Sequence, residues 1–262
     1  MRGVLLFAFN TDTLDYYKMA IATAKRANYF LNLPVSVVTD HTTDLAQYDY
    51  AFDNVFVVES DKSNTKGKKL WINKGRHQAY NLTPYDETLV LDTDYLINSD
   101  MLLKGFDLYD DFMCPNYTTF LLNADYGQEE ISSISYPTLW ATVMFFSKTQ
   151  KTKELFECLR MVQDNYLHYV NLYNMINAMY RNDYALTIAH RIVNGHYEDK
   201  RDYMPWSLVH IASEIKVAKN SNIEFNTEYT LVKESNTGKG QYIVVKDTDF
   251  HCMNKETFMD IV

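Results

Sequence analysis

Only three cysteines occur in 262 residues, Cys114, Cys158 and Cys252, and their wide spacing matches neither a disulfide framework nor a zinc pattern. Buried thiols in a reducing cytosol are the reading that follows. Basic charge is also scarce: Lys and Arg number 25 against 34 Asp and Glu, a formal net charge of −9. The longest basic cluster is Lys66-Gly67-Lys68-Lys69. A protein that grips phosphate backbones shows a basic face, so stable duplex binding is disfavoured, although a local basic cleft stays open. No apolar run approaches the about 18 residues that a bilayer span needs. Met1-Arg2-Gly3-Val4-Leu5-Leu6-Phe7 runs straight into a strand-like segment, with no apolar leader followed by a cleavage site. The expectation is a soluble, cytoplasmic protein whose sequons at Asn81 and Asn116 stay unglycosylated. There is no internal repeat, no low-complexity tract and no linker rich in Gly, Pro or Ser, so residues 1–262 are read as a single domain.

What the chain does contain is an α/β pattern. Val4–Phe9 is continuously apolar and ends at Asn10, as expected of a strand buried on both faces of a parallel sheet. Thr13 is the expected cap of a following helix, in which Tyr16, Ala20, Ala24, Ala27 and Leu31 recur on one face. Strands are expected at Val35–Val38 and Val55–Val58, the first stopping at Thr39-Asp40. Residues 59–75 read as a long polar surface loop, and a helix is expected from Lys74 to Leu82. The apolar strand Thr88–Leu91 then leads into Asp92-Thr93-Asp94. Further on, Thr142–Phe146 and Tyr242–Val245 read as strands. Thr152–Asp164, Leu172–Tyr180 and Tyr184–Ile192 read as helices, with a last short helix after Asn254. This is the opening of a doubly wound, Rossmann-like sheet, mostly parallel and flanked by helices.

Ligands of such sheets bind at the carboxyl ends of the strands, which places Asn10, Asp40 and Asp92 along one crevice. Asp92 and Asp94, two apart in extended backbone, point the same way and can meet at one ion. Hard carboxylate oxygens suit Mg²⁺ or Mn²⁺, which also take up substrate phosphates. A solvated turn would equally favour Asp here.

The run Leu82-Thr83-Pro84-Tyr85-Asp86-Glu87-Thr88-Leu89-Val90-Leu91-Asp92-Thr93-Asp94-Tyr95-Leu96 resembles the metal-binding segment of A-type, DxD-containing glycosyltransferases. It is nearest the glycogenin and bacterial galactosyltransferase group. The Gly3–Asn10 strand also resembles glycosyltransferase-like proteins of large phages. The resemblance covers residues 1–100 well and the rest patchily. It implies an A-type fold in which residues 1–100 bind the nucleotide and end in the metal arm. Residues 101–262 would bind the acceptor and carry a C-terminal metal-ligand segment.

The implied metal ligands are Asp92, Asp94 and His251, the last within Phe250-His251-Cys252-Met253-Asn254-Lys255, with Lys255 meeting the diphosphate. Lys74 and Arg76 would contact donor phosphates and sugar. Phe9, Asn10 and Tyr16, with Asp40 and Thr93, would cradle the nucleoside and donor, although Tyr16 also fits the core stripe of its helix. Asp183, within Asn182-Asp183-Tyr184, would orient the acceptor or act as base, or else simply cap the next helix. At Trp140–Phe146 the family's Asn-(Ser/Ala)-Gly is replaced, so no donor-sugar contact carries over. The implied activity moves a sugar from a nucleotide sugar, UDP first, to a glycan, a small molecule or a hydroxymethylated DNA base. Mn²⁺ or Mg²⁺ is the implied cofactor. A nucleotidyltransferase is the rival enzyme, but Asn10-Thr11-Asp12-Thr13 lacks the Gly-rich, basic phosphate loop such enzymes carry. A non-catalytic nucleotide- or sugar-binding protein of the same fold is the other alternative.

Overall fold

The computed structural model describes every residue except 67–68, 71, 123–125, 177–178, 219–224 and 235–239. The chain opens on β1 (Arg2–Phe7), in which Val4, Leu5 and Leu6 are wholly buried. α1 (Tyr16–Leu31) follows. Asp15 caps it by accepting from the Lys18 N–H at 2.8 Å, in place of the expected Thr13. A carboxylate there also faces the positive end of the helix dipole. Tyr17, Ala20, Ala24, Ala27 and Leu31 form the buried stripe. Asn32 then stops the helix in the left-handed region, at φ 51°.

β2 (Val35–Asp40) and β3 (Asn54–Val58) extend the sheet in parallel. The polar stretch after them holds a short antiparallel pair, β4 (Thr65–Lys66) and β5 (Lys69–Leu70). The helix expected from Lys74 is shorter than its pattern: a 3-10 turn over Arg76–Gln78 leads into α2 (Ala79–Leu82). Gly75, at φ 98°, cannot belong to a right-handed helix, so Lys74 stays outside it. β6 (Glu87–Leu91) lies parallel to β1, and β7 (Tyr95–Leu96) begins directly after Asp94.

The second half runs through α3 (Met101–Gly105), β8 (Phe112–Met113), β9 (Thr118–Phe120), β10 (Tyr126–Gly127) and β11 (Val143–Ser147). Three helices come next: α4 (Gln150–Asp164), α5 (Tyr166–Leu172) and α6 (Asn182–Val193). The helix expected over Leu172–Tyr180 does not form among the described residues of that stretch, residues 177–178 lying outside them. α5 ends where that stretch was to begin, and Asn174, at φ 49°, breaks right-handed geometry. The chain finishes with β12 (Leu208–Ile211), β13 (Ile215–Val217), β14 (Glu228–Lys233), β15 (Gln241–Lys246), β16 (Phe250–Cys252) and α7 (Lys255–Ile261).

The six-stranded central sheet has the order β3-β2-β1-β6-β11-β8. Its first four strands are parallel and β11 runs against β6. The result is a mixed α/β architecture with a parallel-rich sheet between helices. Alternation in β1 decides which side each residue serves. Val4 and Leu6 pack with Ala20, Ala24 and Ala27 of α1, whereas Leu5 and Phe7 pack with Leu155 and Leu159 of α4 and Ile188 of α6. Because β2 and β3 lie on one side of β1 and β6 on the other, the strand order reverses between β1 and β6. That is where open α/β sheets hold ligands.

A second sheet, ordered β10-β9-β12-β16-β7, grows from the turn after β6, and a third joins β13, β14 and β15 in antiparallel fashion. The strand expected at Tyr242–Val245 is thus β15, set in the small third sheet. No helix among the described residues is long and apolar enough to cross a membrane.

Candidate functional site

The Asp92-Thr93-Asp94 turn is held from three directions. The Asp92 N–H donates to the Thr142 carbonyl at 3.0 Å, and the Thr93 carbonyl accepts from Thr23 Oγ1 of α1 at 2.7 Å. The Asp94 carbonyl accepts from the Cys252 N–H of β16 at 2.9 Å. That last bond belongs to the antiparallel pairing of β7 with β16, which sets His251 opposite Tyr95. An imidazole 157 residues downstream is thereby brought to the turn. His251 Nε2 lies 3.1 Å from Asp94 Oδ2 and 4.0 Å from Asp92 Oδ2. One ligand atom from each of Asp92, Asp94 and His251 falls within 4.8 Å of the others.

Two cations face these carboxylates. Arg76 pairs with Asp92 and also donates to the Ala141 carbonyl at 3.1 Å, while Lys255, the first residue of α7, pairs with Asp94. Burial by itself would raise the Asp92 carboxyl, but Arg76, His251 and Lys255 outweigh it and hold it below the ordinary carboxylate value. Burial lowers the Lys255 ammonium to about 8 against the pull of Asp92. Burial likewise lowers His251 against the same carboxylate, which keeps the ring neutral with a nitrogen lone pair available. Two hard carboxylates and one neutral imidazole fit a hard divalent cation such as Mg²⁺ or Mn²⁺.

The remaining expected residues differ in what they touch. Tyr16 lies close enough for Asp92 to help burial raise its phenol. Asp183, in the first turn of α6, accepts from the Ala141 N–H at 2.9 Å and pairs with Arg181 at 3.5 Å. Asp183 and Arg76 thus hold the N–H and the carbonyl of the same residue, Ala141, and the cap position of α6 falls to Arg181. Phe9, Asn10, Asp40 and Lys74 have other partners. Phe9 is buried in the core. Asn10 accepts from the Tyr17 N–H and donates to Tyr48 Oη, both at 2.9 Å. Asp40 is buried and accepts from Thr42 and Ser60. Lys74 binds Asp61 at 2.9 Å and Ser63 at 2.7 Å.

No protein-family model and no curated protein matches the chain. Several solved structures are similar at low identity. The glycosyltransferase GlyE of Streptococcus pneumoniae TIGR4 is 13% identical with a TM-score of 0.42, over 77% of this chain and 44% of that one. The galactosyltransferase LgtC, solved with donor and acceptor sugar analogs, is 14% identical with a TM-score of 0.47, over 72% of this chain and 70% of that one. Mouse xyloside xylosyltransferase 1 is 9% identical with a TM-score of 0.45, over 78% of this chain and 84% of that one. The present chain thus spans less than half the length of GlyE. All these TM-scores lie below 0.5, so the chemistry rests on the site's own residues.

One further residue belongs to this neighbourhood and was not anticipated. His210 of β12 is wholly buried, and its Nδ1 lies 2.8 Å from Nδ1 of His251. Nothing local in Ser207-Leu208-Val209-His210-Ile211 marks it, because only the pairing of β12 with β16 brings the two rings together.

Proposed function

We propose that the protein transfers a sugar from a nucleotide-diphosphate sugar, a UDP-sugar first, to an acceptor hydroxyl. The observation that carries this reading is the meeting of Asp92, Asp94 and His251 at the strand-order reversal, with Arg76 and Lys255 on the same carboxylates. A bound Mn²⁺ or Mg²⁺ would neutralise charge developing on the departing diphosphate. Arg76 presents a planar fork suited to paired phosphate oxygens, and Lys255 presents a compact point charge. In the absence of donor both cations offset the two carboxylates, which lets these acids stand close together. Tyr16 and Thr93 line the nucleotide side of this reading. Phe9, Asn10 and Asp40 would cradle the nucleoside, and Lys74 would contact the donor phosphates, as the resemblance implies.

The resemblance to the glycogenin-like group implies retention of configuration, which requires no dedicated strong base. Under inversion Asp183 would be the general base. The acceptor class is a glycan, a small molecule or a hydroxymethylated DNA base, and the net charge of −9 weighs against the last.

The test is a thermal-shift screen of UDP-, GDP- and other nucleotide sugars with and without Mn²⁺, followed by donor hydrolysis without acceptor. Stabilisation that needs both nucleotide and metal is expected, as is its loss in Asp94→Ala with the fold retained. If no nucleotide stabilises the protein in a metal-dependent way, the proposed activity fails. A metal effect that survives Asp94→Ala would remove the carboxylate pair from the site.

A further inference from the structure

Across the second sheet, register pairing sets Phe120, His210, His251 and Tyr95 in one row from β9 to β7. His210 is fixed within that row from both sides. Its ring stacks on Phe120 with centroids 4.9 Å apart and packs against Trp140 at 5.1 Å. Its Nδ1 faces Nδ1 of His251 at 2.8 Å, while its Nε2 is buried without a hydrogen-bond partner among the described residues. An Nδ1–Nδ1 contact of that length between neutral imidazoles is a hydrogen bond in which one ring donates and the other accepts. An imidazolium ring has no acceptor lone pair, so the contact itself requires at least one ring to be neutral.

Two arrangements satisfy this contact. In the first, His210 Nδ1–H donates to His251 Nδ1, and His251 Nε2–H donates to Asp94 Oδ2 at 3.1 Å. In the second, His251 Nδ1–H donates to His210 Nδ1, leaving the His251 Nε2 lone pair facing the two carboxylates. Without a cation that second state sets a lone pair against a carboxylate, so the first is preferred. A cation at Asp92 and Asp94 reverses the preference, because a ligating imidazole nitrogen must be unprotonated.

We infer that His210 is a positioning residue that accommodates His251 in either neutral tautomer, as hydrogen-bond donor to Asp94 or as cation ligand. The inference rests on reading Asp92, Asp94 and His251 as a divalent-cation site. Protons balance between the two states: His251 Nε2 gives one up, His210 Nε2 gains one, and one crosses the Nδ1–Nδ1 bond. Both rings end neutral. A ligating histidine ordinarily donates its second N–H to a fixed acceptor such as a carboxylate or carbonyl. His210 differs in being able to either give or take that hydrogen.

The test uses the full chain and has two arms. ¹⁵N spectra of the metal-free protein are expected to show His210 as the Nδ1–H tautomer, changing to Nε2–H on saturation with Mg²⁺. Finding His210 as Nε2–H without metal overturns the inference. In the second arm Mn²⁺ affinity is read by electron paramagnetic resonance. His210→Phe keeps an aromatic ring against Phe120 and Trp140 but no nitrogen, and is expected to weaken Mn²⁺ binding roughly 10- to 100-fold. His210→Asn, whose amide can also give or take a hydrogen bond, is expected to recover most of that loss. Unchanged affinity in folded His210→Phe overturns the inference. Should that variant not fold, a His210→Asn affinity as poor as that of His251→Ala does the same. Wild-type protein that binds no Mn²⁺ refutes the cation site itself, and the metal-free spectrum then still decides the role of His210.

Discussion

Replacing Arg76 by Met keeps the apolar stem of the side chain and removes its charge from beside Asp92. The two side chains are only 15% and 18% exposed, so water screens the pair weakly. Breaking a buried pair by removing one partner destabilises by about 3–5 kcal/mol. His251 and Lys255 still face Asp92, so the expected loss here is smaller, about 2–4 kcal/mol. In a chain of this size that corresponds to a fall in Tm of roughly 5–15 °C. Asp92→Asn placed on top of Arg76→Met removes the stranded charge and should restore about 1–3 kcal/mol. Urea unfolding of the wild type, both single variants and the double variant measures the coupling. The pH dependence has a definite sign. Asp92 is held below its ordinary 3.8, so the stabilisation is fully present above that pH and is lost as pH falls through the depressed value. The gap between wild type and Arg76→Met should therefore close in acid. Additivity of the two single substitutions within about 0.5 kcal/mol would refute the coupling.

Thr23→Val keeps the side-chain volume but leaves the buried Thr93 carbonyl without its 2.7 Å donor. A loss of about 1–3 kcal/mol is expected by urea unfolding. Weaker Mn²⁺-dependent nucleotide stabilisation should accompany it, and an unchanged turn would be seen as unchanged values of both. Burial pushes the Cys158 thiol up to about 11 and Cys252 up to about 12, and Cys114 well above its ordinary value. All three should resist maleimide at pH 7 in the folded protein and react after denaturation, as counted by mass spectrometry. Rapid labelling of any one in the native state would contradict its environment.

Much of the first half of the fold was legible because local pattern and tertiary role coincide there. Val4–Phe9 has no polar face, and the structure gives it no solvent face. The Ala20, Ala24 and Ala27 stripe is buried as its spacing implies. Where single residues leave the ordinary backbone region, periodicity misleads. Asn174 ends a pattern that reads as helix through Tyr180, and Gly75 delays the helical turn to Arg76, two residues after the expected Lys74. Asn10 and Asp40 stand where a sheet presents ligands, yet their polar atoms are engaged by Tyr17, Tyr48, Thr42 and Ser60. Asp92 and Asp94 were visible as a spaced pair after an apolar strand. His210 was invisible, because its importance comes from the register of two strands some forty residues apart, and no local periodicity encodes that.

The pairing of β7 with β16 also orders events in time. A nascent chain emerging from the ribosome displays both carboxylates of the turn long before residue 251 exists. Until β16 docks beside Leu96, Asp94 lacks both the Cys252 amide on its carbonyl and the imidazole beside its carboxylate. Closing so distant a contact is slow compared with local helix formation. The cluster is thus complete only once two segments about 157 residues apart have met.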